Sequence, residues 1–221
     1  EIPVGNMYVP EPEEEVIGGG SFAEINARLT LNNKKYNVTV AEVYRRVRAP
    51  ESLNLSILGS QLRKGKSKDN GNSLRDDLKA KGISIDQGRR KGAKVTVFTA
   101  ITEGEALEIA EDLETEVHKT FPENELCDEL IRRFNATVPH TIASARLAFS
   151  AAGSIAHSLA EKVHDLRLPV AEEHPVFPSP DRHLMYNYSL LTHGYGPDAF
   201  HSWLKTFHSM FEKTAASLPL A

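Results

Sequence analysis

The sequence predicts a mainly α-helical protein with a small β element, in which a basic part is followed by a helical part. Three observations predict it. Apolar residues recur at helical spacing behind capping residues through most of the second half, two short alternating runs near the start read as strands, and positive charge gathers between Arg45 and Lys94. That segment holds 14 Lys and Arg against 5 Asp and Glu, a net +9, in a chain of 221 residues whose formal net charge is −4. The rest of the chain carries the compensating −13. So uneven a field draws a polyanion to one surface, and nucleic acid is the usual one.

Residues 1–26 open with Pro3, Pro10, Pro12, the acids Glu13 to Glu15 and three consecutive glycines, the composition of a flexible lead-in. Arg28–Leu31 and Tyr36–Val40 alternate as strands of a hairpin turning at Asn32 and Asn33. Thr39 and Glu42 stand at capping-box spacing before a helix that continues to Val47 and ends before Pro50. Pro50 and Glu51 suit the first turn of a second helix, with Leu53, Ile57, Leu58 and Leu62 on its apolar side. After a polar loop over Lys64–Asn72, Ser73 with Asp76 caps a short helix that Gly82 stops. Val95–Phe98 reads either as a strand or as a buried apolar segment.

From Thr102 the chain turns helical and acidic. Thr102 and Glu105 form another capping-box pair, and Ala106, Ala110, Leu113 and Val117 make a stripe before Pro122. A helix over Glu123–Phe134 follows, then a long one after Pro139 using Ile142, Ala152, Ile155, Leu159, Val163 and Leu166. A loop holding Pro169, Pro175, Pro178 and Pro180 separates this block from a helix over His183–His193, stopped by Gly194, and a final helix started by Pro197. The final helix carries Phe200, Trp203, Leu204, Phe207 and Phe211 at i, i+3, i+4, i+7 and i+11. So wide an aromatic stripe requires cover, either from the chain's own core or from a second copy. The organisation expected is therefore a lead-in over 1–26, a basic nucleic-acid-binding region over 27–101 and a helical region over 102–217.

Several function classes find no support. The single cysteine, Cys127, has no partner for an internal disulfide, which suits the cytosol or nucleus. No apolar run approaches the roughly 20 residues that cross a bilayer, and the N-terminus does not read as a signal peptide. The chain opens on Glu1 without methionine and reads as a piece of something longer. Gly59, Gly65, Lys66 and Ser67 imitate a phosphate-binding loop, but five residues separate the glycines where the motif needs four, and a helix precedes them instead of a strand. His157 with His164, and His201 with His208, lie seven residues apart, about two helical turns, too far for one metal to bridge. No nucleophile comes with a recognisable base, so neither an enzyme nor a cofactor is expected.

The basic segment could be no more than a solvated face or an import signal. Against that, its cations gather at loops and helix ends, Arg63 to Lys68 and Arg89 to Lys91, where they can converge, with glycines nearby and few acids to neutralise them. Arginine's planar fork can grip guanine O6 and N7. Arg75, Arg89 and Arg90 are the expected base contacts, Lys64, Lys66, Lys68 and Lys91 the expected phosphate contacts, and Arg45, Arg46 and Arg63 complete the set. A helical adaptor that turns the same cations toward acidic protein partners is the alternative.

The runs Tyr36–Arg46 (YNVTVAEVYRR), Pro50–Asn54, Ser56–Gly59, Lys66–Lys68, Ser73–Arg75, Gly88–Lys91, Val95–Thr99 and Glu103–Ala106 closely resemble the DNA-binding region of the activating enhancer-binding protein two transcription factors. Leu190–Gly196 (LLTHGYG) resembles a second landmark of that family. The resemblance implies a nuclear transcription factor that pairs through a helix-span-helix region as a homodimer or with a paralogue. It also implies GC-rich palindromes with GCC and GGC half-sites as the DNA, co-regulators as further partners, and no membrane association. By the same resemblance, Phe200, Trp203, Leu204, Phe207 and Phe211 belong to the pairing half. The sequence departs from the family at Lys64 and Asn72, where arginine is usual, and at Tyr44, where glutamine is usual.

Overall fold

The structure, a computed structural model, describes residues 19–31, 33–64, 71–85, 95–137, 141–166 and 183–218. Among them it is mainly helical with one two-stranded sheet. Contacts divide the chain into two compact units, residues 1–109 with 166–196, and residues 110–165 with 197–221.

In the first unit, β1 (Ser21–Asn26) pairs antiparallel with β2 (Lys35–Thr39), Ile25 opposite Tyr36, with an irregularity between Ser21 and Ala23. The first strand thus lies at Ser21–Asn26, inside the expected lead-in, and not at Arg28–Leu31. The reason is a long-range contact: the N–H groups of Arg28 and Leu29 donate to the Glu105 carboxylate at 2.6 and 2.8 Å, so a side chain takes the place of a sheet ladder. Helix α1 (Val40–Val47) follows at once, its first turn capped by Thr39 Oγ1, which accepts the Glu42 N–H at 3.0 Å.

Helix α2 (Leu55–Gln61) starts later than Pro50 suggested, because the N–H groups of Ser52 and Leu53 return to the carbonyls of Arg48 and Arg46 at 2.7 and 2.8 Å. Ser52 itself is left-handed, at φ 50. Asn54 becomes the cap, its Oδ1 accepting the Ile57 N–H at 3.0 Å. Helix α3 (Asn72–Ala80) likewise starts behind Gly71 at φ 82 and not behind Ser73, a backbone angle that glycine adopts without a Cβ penalty. Gly82, at φ 77, ends it as expected. Val95–Phe98 is neither strand nor buried segment. Val95 and Val97 are exposed, and Phe98–Ala100 close a 3-10 turn in which Thr99 Oγ1 accepts the Thr96 N–H at 3.1 Å.

Val38, Val40, Val43, Leu58, Leu74 and Leu78 form the centre of the first unit's core, with Leu53, Leu62 and Ile83 around them. Each such side chain withdrawn from water contributes roughly 1.5–3 kcal/mol. Helix α4 (Glu103–Thr120) is capped by Thr102, whose Oγ1 accepts the Glu105 N–H at 3.0 Å.

The second unit takes in the rest of α4 with α5 (Glu123–Thr137) and α6 (Ile142–Leu166). After α7 (His183–Leu191), which packs in the first unit, and Gly194 at φ 92, α8 (Tyr195–Ser217) begins two residues before Pro197. Ala145, Phe149, Ala215 and Leu218 are buried together against Leu130, Ile131, Phe134 and Phe211. The expected stripe on α6 is only partly its core face. Ala145, Phe149, Ala156, Ala160 and Val163 are buried, whereas Ile155 is 62% and Leu159 48% exposed. Small residues make the close-packing face, and Gly153 lies directly against Glu212. The proline-bearing loop over 167–182 lies outside the described residues.

Candidate nucleic-acid interface

Three of the expected DNA contacts are described at the ends of α2 and α3. Arg63, left-handed at φ 53, donates from Nη2 to the Ala27 carbonyl at 2.8 Å, while Arg28 donates from Nη2 to Ser60 O at 2.8 Å. The pair straps the start of the β1–β2 connection to the end of α2. Lys64 is paired with Asp77 of α3 at 2.5 Å and lies 5.3 Å from the Phe22 ring centre. Arg75, on the first turn of α3, is half-buried. Its Nη1 donates to Asn72 Oδ1 at a long 3.4 Å, and its Nε is buried without a hydrogen-bond partner. Of the three, Arg75 has the most unused donor capacity. An exposed ion pair such as Lys64–Asp77 contributes about 0–1 kcal/mol, so Lys64 can exchange that partner at little cost. Lys66 and Lys68, in 65–70, and Arg89, Arg90 and Lys91, in 86–94, lie outside the described residues.

Arg45 and Arg46 are placed differently from the sequence reading, and the correction is physical. Arg46 is 1% exposed. Its Nε and Nη2 donate to Glu42 Oε1 at 2.9 and 2.8 Å, Nη2 also donates to the Ile101 carbonyl, and Nη1 stands 3.6 Å from Glu51 and 3.2 Å from His193 Nε2. Arg45 grips Glu103 with both forks, Nε at 2.8 Å and Nη2 at 2.6 Å. Both guanidiniums are therefore neutralised inside the first unit and present no free charge to a polyanion.

The cluster sets two guanidiniums against three carboxyls, Glu42, Glu51 and Glu103. Burial pushes the Glu51 carboxyl up to about 7, with the negative charges of Glu42 and Glu103 adding to the effect and Arg46 opposing it. Burial likewise raises Glu42 to about 7 against the pull of Arg46. His193 is driven well below its ordinary value by burial and by the two neighbouring guanidiniums, so it sits in the cluster as a neutral imidazole. One signal for all this was in the sequence, since Glu42 and Arg46 stand at i, i+4 on a helix. Nothing local could have joined His193 to them across 147 residues.

The expected pairing residues divide between two roles. Leu204 is buried, Phe211 packs into the second unit's core, and Trp203 meets Phe121 edge to face at 5.2 Å. Phe200 and Phe207 remain 44% and 41% exposed.

The sequence model of the family described as "Transcription factor AP-2" matches residues 22–214. Curated relatives agree. The chain is 36% identical over 205 residues to transcription factor aptf-1 of Caenorhabditis elegans, covering 90% of this chain and 56% of that protein. It is 36% identical over 187 residues to transcription factor AP-2 gamma of Mus musculus, covering 80% and 40%. With transcription factor AP-2-delta of Homo sapiens the identity is 35% over 198 residues, covering 87% and 43%. The chain thus spans about half the length of the curated relatives it matches. A match over nearly all of the described residues, carried through both compact units, places this chain in the AP-2 transcription factor family.

Proposed function

We propose that the chain binds double-stranded GC-rich DNA in the nucleus as a dimer, reads GCC and GGC half-sites, and regulates transcription by RNA polymerase II together with co-regulators. Family membership over residues 22–214 is the observation that carries this reading. In it, residues 27–101 supply the DNA contacts and 102–217 the pairing. Arg75, Arg89 and Arg90 act at base edges, Lys64, Lys66, Lys68 and Lys91 act at phosphates, and Arg63 completes the contact set. Arg45 and Arg46 are left out of the contact set and hold the fold beneath it. Catalysis plays no part.

Support for pairing comes from apolar surface left uncovered in the second unit. On α6, Ala148, Ala151, Ile155 and Leu159 recur at i, i+3, i+7 and i+11 and are all exposed, a second apolar stripe beside the buried one. Phe200 and Phe207 of α8 add aromatic surface. A second copy of the chain is the partner that also matches protein symmetry to a palindromic site. No helix among the described residues is long and apolar enough to cross a membrane.

Selection from randomised duplexes, followed by mass measurement of the complex, tests the reading. Enrichment of inverted GCC/GGC repeats in a complex with two protein chains is expected. An unenriched pool would overturn the DNA assignment in favour of an adaptor for acidic proteins, and a single chain on the selected duplex would overturn pairing.

A further inference from the structure

The histidines that are too far apart along each helix to share a metal are brought together across helices. His157 and His164 lie seven residues apart on α6, and His201 and His208 lie seven apart on α8. Because seven residues forward on α6 are matched by seven back on α8, the two helices run antiparallel and their histidines meet rung by rung. The ring centres of His157 and His208 are 5.0 Å apart, those of His164 and His201 5.2 Å.

That separation is compatible with a chelate. A zinc–nitrogen bond of about 2.0–2.1 Å puts the metal roughly 3.2 Å from each imidazole centre, and a tetrahedral angle then sets the two centres about 5.2 Å apart. The His157–His208 rung has further features of a metal site. His208 Nδ1 lies 3.0 Å from the Gly153 carbonyl, and since a carbonyl only accepts, this nitrogen carries the proton and Nε2 keeps its lone pair for a cation. His157 Nε2 stands 3.5 Å from the Glu161 carboxylate, so an acid stands beside the pair. Among the described residues no three His, Cys, Asp or Glu side chains converge into a ready cage, so the protein would supply two ligands and water the others.

We propose that His157 and His208 bind a divalent transition cation of the zinc class, which joins α6 to α8 within the second unit. Zinc ion itself is the probe, added to the full chain and followed by titration calorimetry and by the zinc-dependent rise in Tm. Zinc raises Tm in the unaltered chain. His157→Gln and His208→Gln each weaken binding by about tenfold or more, on the scale of lost coordination support. Glutamine keeps the volume and polarity at each position, so the Tm measured without zinc reports whether folding is intact. His164→Gln leaves the first binding event unchanged. The proposal is overturned if zinc produces no heat and no change in Tm, if the double variant His157→Gln/His208→Gln binds as the unaltered chain does, or if His164→Gln alone abolishes binding.

Discussion

Replacing Arg46 by methionine separates a structural arginine from a DNA contact. Methionine keeps much of the side-chain volume and removes the charge that Glu42 and Glu51 face at 2.8 and 3.6 Å. Removing one partner of a buried ion pair and leaving the other in place costs about 3–5 kcal/mol. The cost depends on pH, with a sign that follows from the carboxyls. Glu42 and Glu51 already stand at about 7 with Arg46 present, and losing the guanidinium that opposes this shift raises them further. A carboxyl raised in the folded state contributes its full stability below the ordinary value of 4.5 and loses it as the pH climbs through the folded value. Arg46→Met is therefore most destabilising near pH 8 and least near pH 5, where the carboxyls take up protons and bury no charge. Urea unfolding of the variant and the unaltered chain at both pH values measures this. A variant of unaltered stability at pH 8 that has lost DNA binding would refute the reasoning and return Arg46 to the interface.

Glu51→Gln flattens the fall in stability between pH 5 and pH 8 by up to about 3 kcal/mol, the linkage energy of a carboxyl moved from 4.5 to about 7; an unchanged slope in urea unfolding would place the titrating group elsewhere. Gly196→Ala costs about 1–3 kcal/mol, because a Cβ there would stand 2.6 Å from Tyr188 Cζ and 2.7 Å from Thr192 Oγ1; its Tm should fall, and an unchanged Tm would mean that the α7–α8 turn gives way freely. Thr102→Ala removes the acceptor for the Glu105 N–H and lowers stability by about 1 kcal/mol, while Thr102→Ser, which keeps the hydroxyl, restores most of it; equal Tm values for all three would show that the cap carries nothing.

What the sequence made legible was local. Thr39 and Thr102 as caps, Gly82 and Gly194 as stops, and the four long helices of the second half rest on interactions within a few residues, which a linear reading can see. The misplaced elements share a different cause. Arg28–Leu31 alternates like a strand but gives its N–H groups to Glu105, 76 and 77 residues away. Pro50 could have opened a helix, yet the backbone of Ser52 and Leu53 is bonded back to α1. Arg45 and Arg46 counted toward the basic segment because charge along a chain does not reveal that Glu103 and His193 arrive to bury them. Alanine and glycine make the packing face of α6, so the larger apolar residues used to trace its stripe pointed partly to the wrong side. For Arg28–Leu31 and for Arg45 and Arg46, a distant group overrode the local preference.

Titrating an inverted GCC/GGC duplex against the unaltered chain and Arg75→Ala over a range of salt concentrations measures the interface most directly. If Arg75 forks a guanine, its loss costs about 1–3 kcal/mol of binding, mainly as discrimination at one base pair. If the surrounding lysines hold phosphates, log affinity falls linearly with log salt at about 0.9 per phosphate neutralised. Folding should be unaffected, since the bond from Arg75 Nη1 to Asn72 Oδ1 is long, at 3.4 Å. A salt-independent affinity, or an Arg75→Ala chain that discriminates as well as the original, would contradict the account.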